Sequence, residues 1–188
     1  MRELALHVLD LLQNAAEAGA TRVTLVVDED WQADRLTIVV DDNGRGMTPD
    51  TIARVTDPFF TTRTTRHVGL GLPLLAASAE RSGGALTICS RPGAGSTVEA
   101  TFRLSHADRQ PLGDLADSLL AFLLGESAPG LSYRHEVIGH GSCPPTKFEF
   151  DTAAIAAELG PVPLNHPVVQ RWLAEFLAEG EAQCQVVS

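Results

Sequence analysis

The sequence predicts an α+β fold: a mostly antiparallel sheet with helices on one face, followed by a smaller α+β unit. Three observations lead there. Helical periodicity opens the chain, a pair of β-branched runs follows at hairpin spacing, and a second helical stretch precedes a second such pair. The 188 residues allow one full domain, or one with an appendage.

From Glu3 to Ala18, apolar residues recur at Ala5, Val8, Leu9, Leu12 and Ala16, the spacing of an amphipathic helix that ends at Gly19. Arg22–Asp28 and Arg35–Asp41 are β-branched runs joined by an acidic turn and read as a hairpin. Thr48, followed by Pro49, caps a short helix expected to run to about Val55. A helix over Leu72–Arg81 closes at Gly83-Gly84, and two strands follow, Ala85–Arg91 and Ser96–Leu104, joined by a Pro-Gly-Ala-Gly turn.

The polar stretch Ser105–Pro111 marks a boundary. Residues 1–104 carry ten basic against thirteen acidic residues, net −3; residues 105–188 carry four against eleven, net −7. We therefore expect one domain over residues 1–104 and a small α+β domain over 105–188. In the second, helices are expected at Leu112–Leu124, Thr152–Leu159 and Pro167–Glu179, with a hairpin from Leu131–Ile138 and Thr146–Phe150.

Composition narrows the function classes. Apolar residues at 44% and charged residues at 20% are ordinary globular usage. No apolar run approaches the ~18 residues of a membrane span, and the start lacks a secretory layout. Cys89, Cys143 and Cys184 are too widely spaced for a disulfide framework or zinc knuckle, so a cytoplasmic location is expected. A net charge of −10 argues against affinity for a phosphate backbone, so no nucleic-acid partner is expected. His106, His135, His140 and His166 have no ligand spacing with one another or with Cys143.

Four motifs carry chemistry, and each alone has a plain structural reading. Glu3, His7, Asp10, Asn14 and Glu17 share one face of the first helix, as any solvated stripe would. Asp42-Asn43-Gly44-Arg45-Gly46 follows a strand. It is turn chemistry, or a carboxylate able to accept from an exocyclic amine, with glycines that admit a flat ring. The run Asp57 to Leu72 is rich in Thr and Arg and leads into Gly69-Leu70-Gly71-Leu72 at a helix start, where free N–H groups favour an anion. Gly93-Ala94-Gly95-Ser96-Thr97 places small hydroxyl residues before the last strand of the first unit.

In this order the four motifs resemble the GHKL ATPases, the superfamily of gyrase, heat-shock chaperone, histidine kinase and MutL-type mismatch-repair ATPases. The resemblance covers about residues 1–104. Asp57–Arg63 and Gly69–Leu72 look like the F and G2 boxes of sensor histidine kinases, and Asn14–Thr21 looks more like the mismatch-repair branch. It implies a Bergerat-type two-layer sandwich binding ATP and Mg²⁺. Asn14 would ligate the magnesium through its amide oxygen. Asp10 would stand where many members carry a catalytic glutamate, with a side chain one methylene shorter. Asp42 would accept from the adenine amine, with Gly44 and Gly46 lining the ring and Thr97 assisting. Backbone N–H groups of Gly69, Leu70, Gly71 and Leu72 would face the phosphates, under a short lid bearing Thr61, Thr62, Arg63 and Arg66.

His7, on the nucleotide-binding helix itself, reads as a packing residue rather than a phosphoacceptor. No dimerisation helix pair precedes that helix, so a stand-alone ATP-binding domain is expected, with a protein partner as phosphoacceptor or regulator. Alternatives are an ATP-dependent switch without turnover and a MutL-type DNA-repair ATPase. A second copy of the chain, as a homodimer, is a further candidate partner.

Overall fold

A computed structural model describes residues 3–55, 71–125, 128–139 and 144–184. Its helices are α1 (Leu4–Glu17), α2 (Pro49–Ile52), α3 (Gly71–Arg81), α4 (Leu115–Leu123), α5 (Thr152–Leu159) and α6 (Pro167–Cys184). The strands are β1 (Arg22–Asp30), β2 (Arg35–Asp42), β3 (Leu86–Arg91), β4 (Gly95–Arg103), β5 (Gly130–Ile138) and β6 (Thr146–Asp151). The expected α+β class holds. One six-stranded sheet runs β3-β4-β2-β1-β5-β6, and every ladder is antiparallel except β1 with β5.

Alternation decides which face is buried. Val23, Leu25 and Val27 on β1, Leu36, Ile38 and Val40 on β2, and Val98, Ala100 and Phe102 on β4 are buried under the helices. Their neighbours at odd steps are half-exposed or exposed. α3, α1, α4 and α6 lie side by side over this face, each touching the next.

The segment after residue 104 joins the same sheet and the same core. β5 lies parallel to β1 over nine residue pairs, from Arg22↔Gly130 to Asp30↔Ile138, and β6 pairs with β5 outside it. Leu115, Leu119, Leu131, Tyr133 and Leu173 are among the most buried side chains of a hydrophobic cluster that also holds Leu4, Leu12 and Leu25. The sequence boundary at residue 104 is thus a change of charge and not a break in the sheet.

Residues 105–114 bind the two parts together. Asp34 Oδ1 accepts from the Ser105 amide at 2.7 Å, and Asp34 Oδ2 takes Arg103 Nε at 2.8 Å. Those contacts, the Arg103 guanidinium first, hold the Asp34 carboxyl down at about 2. The N-cap residue of α1, Glu3, makes no side-chain cap. The orphan amides of Leu4 and Ala5 donate instead to the carbonyls of Pro111 and Leu112, at 3.0 and 2.7 Å. This explains one shifted boundary: residues 111–112 stay outside the helix and cap α1, and α4 starts only at Leu115, capped by Asp114. α2 is shorter than the motif suggested, ending at Ile52, while α6 outruns its expected end at Glu179 and reaches Cys184.

Candidate functional site

α1 is the rail on which the site is built. Asp10 and Asn14, one turn apart on the same helix face, are both half-buried. The Asp10 carboxylate lies against Gly71, the first residue of α3: a Cβ at Gly71 would fall 1.5 Å from Asp10 Oδ2. A side chain at Gly71 would have to displace the Asp10 carboxylate. The first turn of α3 holds no acidic residue of its own, so the carboxylate at its amide-bearing end comes from α1. Leu72, next along, packs half-buried against the core.

At the far end of α1 sits the Asp-Asn-Gly-Arg-Gly loop. Asp42 closes β2 and is half-buried, with Oδ1 accepting from the Gly44 amide at 2.7 Å. Burial pushes its carboxyl pKa up and nearby Asp41 adds to this, while the Gly44 and Ser96 amides pull the other way. Gly44 is wedged between Asp42 and the helix: a Cβ there would meet Asp42 Oδ1 at 2.8 Å and the Ala18 Cβ at 2.9 Å. The Arg45 amide donates to Ala18 O at 2.9 Å, and its guanidinium to Glu17 O at 3.1 Å. The loop is therefore seated on the end of α1, one turn beyond Asn14.

Gly46, expected to line a flat ring, has a second reason to be glycine: its backbone has φ +65°, and a Cβ would come within 1.9 Å of Arg91 O. The β3–β4 turn demands that glycine. One expectation changes: Thr97, expected to assist Asp42 at the adenine, pairs in register with Asp41 and donates to Asp41 Oδ1 at 2.6 Å. Both lie on the sheet face away from the helices. The hydroxyl residue opposite Asp42 is Ser96, whose Oγ is 2.9 Å from Ser90 Oγ. Ser90 Oγ in turn accepts from the Met47 amide at 2.8 Å. A period-two count back from buried Val98 lands on Ser96, so the signal was present in the sequence.

Asn43 was also missed. Its Oδ1 accepts from the Thr21 and Arg22 amides, both at 2.9 Å, and its Nδ2 donates to Thr21 Oγ1 at 2.9 Å. It staples the loop to the α1–β1 connection. Thr61, Thr62, Arg63, Arg66, Gly69 and Leu70 lie outside the described residues. His7 is 3% exposed. Burial lowers its pKa, opposed by a hydrogen bond to Gln110, whose Oε1 takes Ser78 Oγ at 2.9 Å. His7 thus faces the 105–114 segment, through Gln110. Among the described residues no group of three His, Cys, Asp or Glu is placed to hold a metal ion, and no helix is long and apolar enough to cross a membrane.

The loop that follows the half-buried Asp42 and the glycine that leads α3 both lie against the one helix that carries Asp10 and Asn14. Residues 2–106 match the family described as histidine kinase-, DNA gyrase B-, and HSP90-like ATPase. The chain belongs to this family. The sensor protein kinase FleS of Pseudomonas aeruginosa is 46% identical over 110 residues, 58% of this chain and 27% of its own length. A putative sensor protein of Shewanella frigidimarina is 34% identical over 103 residues, 54% of this chain and 16% of that one. The chain thus spans about a quarter or less of these sensor proteins. A solved structure described as the N-terminal domain of a DNA repair protein superposes with TM-score 0.53 at 14% identity, covering 80% of this chain and 53% of that one. At that identity the likeness is one of fold, and it extends over more of this ATPase-family chain than residues 2–106.

Proposed function

We propose that this chain binds Mg–ATP in the pocket along α1 and acts in signalling, passing the γ-phosphate to a partner protein. The observation that carries the reading is the bracketing of Asn14. The Asp42 loop is seated on the end of its helix, and one turn earlier Asp10 meets the N-terminus of α3. A base read by Asp42 at one end would then direct its phosphates toward the α3 amides at the other.

Within that reading Asp42 accepts from the adenine amine, Gly44 admits the ring, and Ser96 replaces Thr97 as the hydroxyl residue nearest the base. The Gly71 and Leu72 amides meet the phosphates, with Gly69 and Leu70 and the side chains of Thr61, Thr62, Arg63 and Arg66 contributing from the preceding segment. Magnesium suits the oxygen donors present: it takes few protein ligands and leans on phosphates, so the Asn14 amide oxygen suffices. Bound there, the ion would neutralise phosphate charge. Asp10 would stand beside the terminal phosphate as the group that orients the acceptor.

The likeness to sensor kinases supports a phosphoacceptor on a protein partner. One observation favours the second reading, an ATP-dependent switch without turnover: the Asp10 carboxylate is already engaged against Gly71. Calorimetric titration with Mg–ATP tests the binding itself. Absence of any affinity for adenine nucleotides would overturn both readings, and labelled ATP with candidate partners separates them.

A further inference from the structure

The Asp10 carboxylate lies beside Gly71, at the helix terminus toward which the proposed function directs the phosphates. A Cβ at Gly71 would fall 1.5 Å from Asp10 Oδ2. The amide-bearing end of α3 favours negative charge, and the helix supplies no acid of its own in its first turn. Asp10 comes from a different helix, so the contact is tertiary and can be broken without unwinding either one. α1 is fixed independently, by Pro111 and Leu112 at its N-terminus and by Arg45 at its C-terminus. The movable part of the contact is the aspartate side chain.

We propose that Asp10 is a built-in competitor of the nucleotide phosphates: without nucleotide it caps α3, and a phosphate must displace it to bind. This rests on the nucleotide-binding reading and adds a regulatory step to the same site. Displacement both opens the helix terminus and releases a carboxylate one turn from Asn14. A change that pulled Asp10 away from α3 would raise nucleotide affinity, and one that pressed it there would lower it. The nucleotide site would thus be set by the position of a single side chain.

The test compares the wild type with Asp10→Asn, titrated with ADP and with adenosine in EDTA so that no cation bridges carboxylate to phosphate. Asp10→Asn keeps the shape and removes the charge. The expected result is ADP affinity tightened about tenfold, the scale of a carboxylate at a helix N-terminus, with adenosine affinity unchanged. Thermal unfolding of the nucleotide-free variant should begin at a lower temperature than wild type, because α3 loses its cap. Unchanged or weakened ADP binding by Asp10→Asn overturns the proposal, as does equal tightening for adenosine. If the wild type binds neither ligand, the nucleotide-binding reading itself fails. If it binds both and the variant gains nothing, only the competition fails.

Discussion

Thr97 donates a 2.6 Å hydrogen bond to Asp41, which holds both on the sheet face away from the helices. One residue along each strand, Asp42 and Ser96 face the helix layer as register partners. The acidic pair at the end of β2 therefore divides its labour by parity. Asp41 is exposed and bonded to a threonine, while Asp42 is half-buried with its carboxyl pushed up by desolvation.

That division predicts three different outcomes. Asp42→Asn should weaken ATP binding by at least about tenfold, since a charge-assisted contact is worth ~1.5–3 kcal/mol. Ser96→Ala should weaken it by about fivefold, the scale of a neutral hydrogen bond. Thr97→Ala should leave it within about twofold. Calorimetric titration of the three variants checks the ranking, and an effect of Thr97→Ala equal to that of Asp42→Asn would count against it.

Gly46→Ala should destabilise the fold. Its φ of +65° strains any side chain, and the Cβ would meet the Arg91 carbonyl, backbone that cannot swing aside. We expect a loss of about 2 kcal/mol or more, read as a lower denaturant midpoint with unchanged slope.

His135 sets a pH window for stability. It is buried between Glu181, 3.1 Å from its Nδ1, and Glu29, 3.3 Å from its Nε2. Burial opposes its charge, but the two carboxylates together outweigh that and raise its pKa to about 9. The folded value lies above the unfolded one of 6.5, so the stabilisation is full below 6.5 and is lost as pH rises toward 9. Denaturation between those limits should show a fall on the order of 3 kcal/mol, which His135→Gln should flatten. Glu181 also accepts from Tyr133 at 2.5 Å, so Glu181→Ala should be the more damaging change in this cluster.

Gly180 decides how closely α6 approaches the sheet. A Cβ there would fall 2.2 Å from the Phe148 ring. Alanine gains up to ~1 kcal/mol of helix propensity but overpacks the ring, at a cost of ~1–3 kcal/mol. Gly180→Ala should thus be net destabilising, and Gly180→Leu severely so, by thermal unfolding.

Several elements and much of the motif set were legible because their causes are local. The Glu3–Ala18 periodicity, the Thr48-Pro49 cap and the paired β-branched runs each encode their own backbone within a few residues. Asp42, Gly44 and Gly71 were identified as residue types in order, and the described structure puts the Asp42 loop and Gly71 against the same helix. The Thr97 reading went astray because it rests on which way a strand position faces, and a shift of one residue reverses the face.

The sequence by itself determined the class, the order of helices and hairpins, and the family-bearing motifs, all of them products of short-range periodicity and turn chemistry. Only the tertiary structure decided that β5 lies parallel to β1, making one sheet of segments that differ in charge. It also decided that Pro111 and Leu112 cap α1, that Ser96 rather than Thr97 stands opposite Asp42, and that Asp10 meets Gly71. These are pairings between distant stretches of chain. They are fixed by burial of a shared core and by orphan hydrogen-bond groups seeking partners, which no local window of residues records.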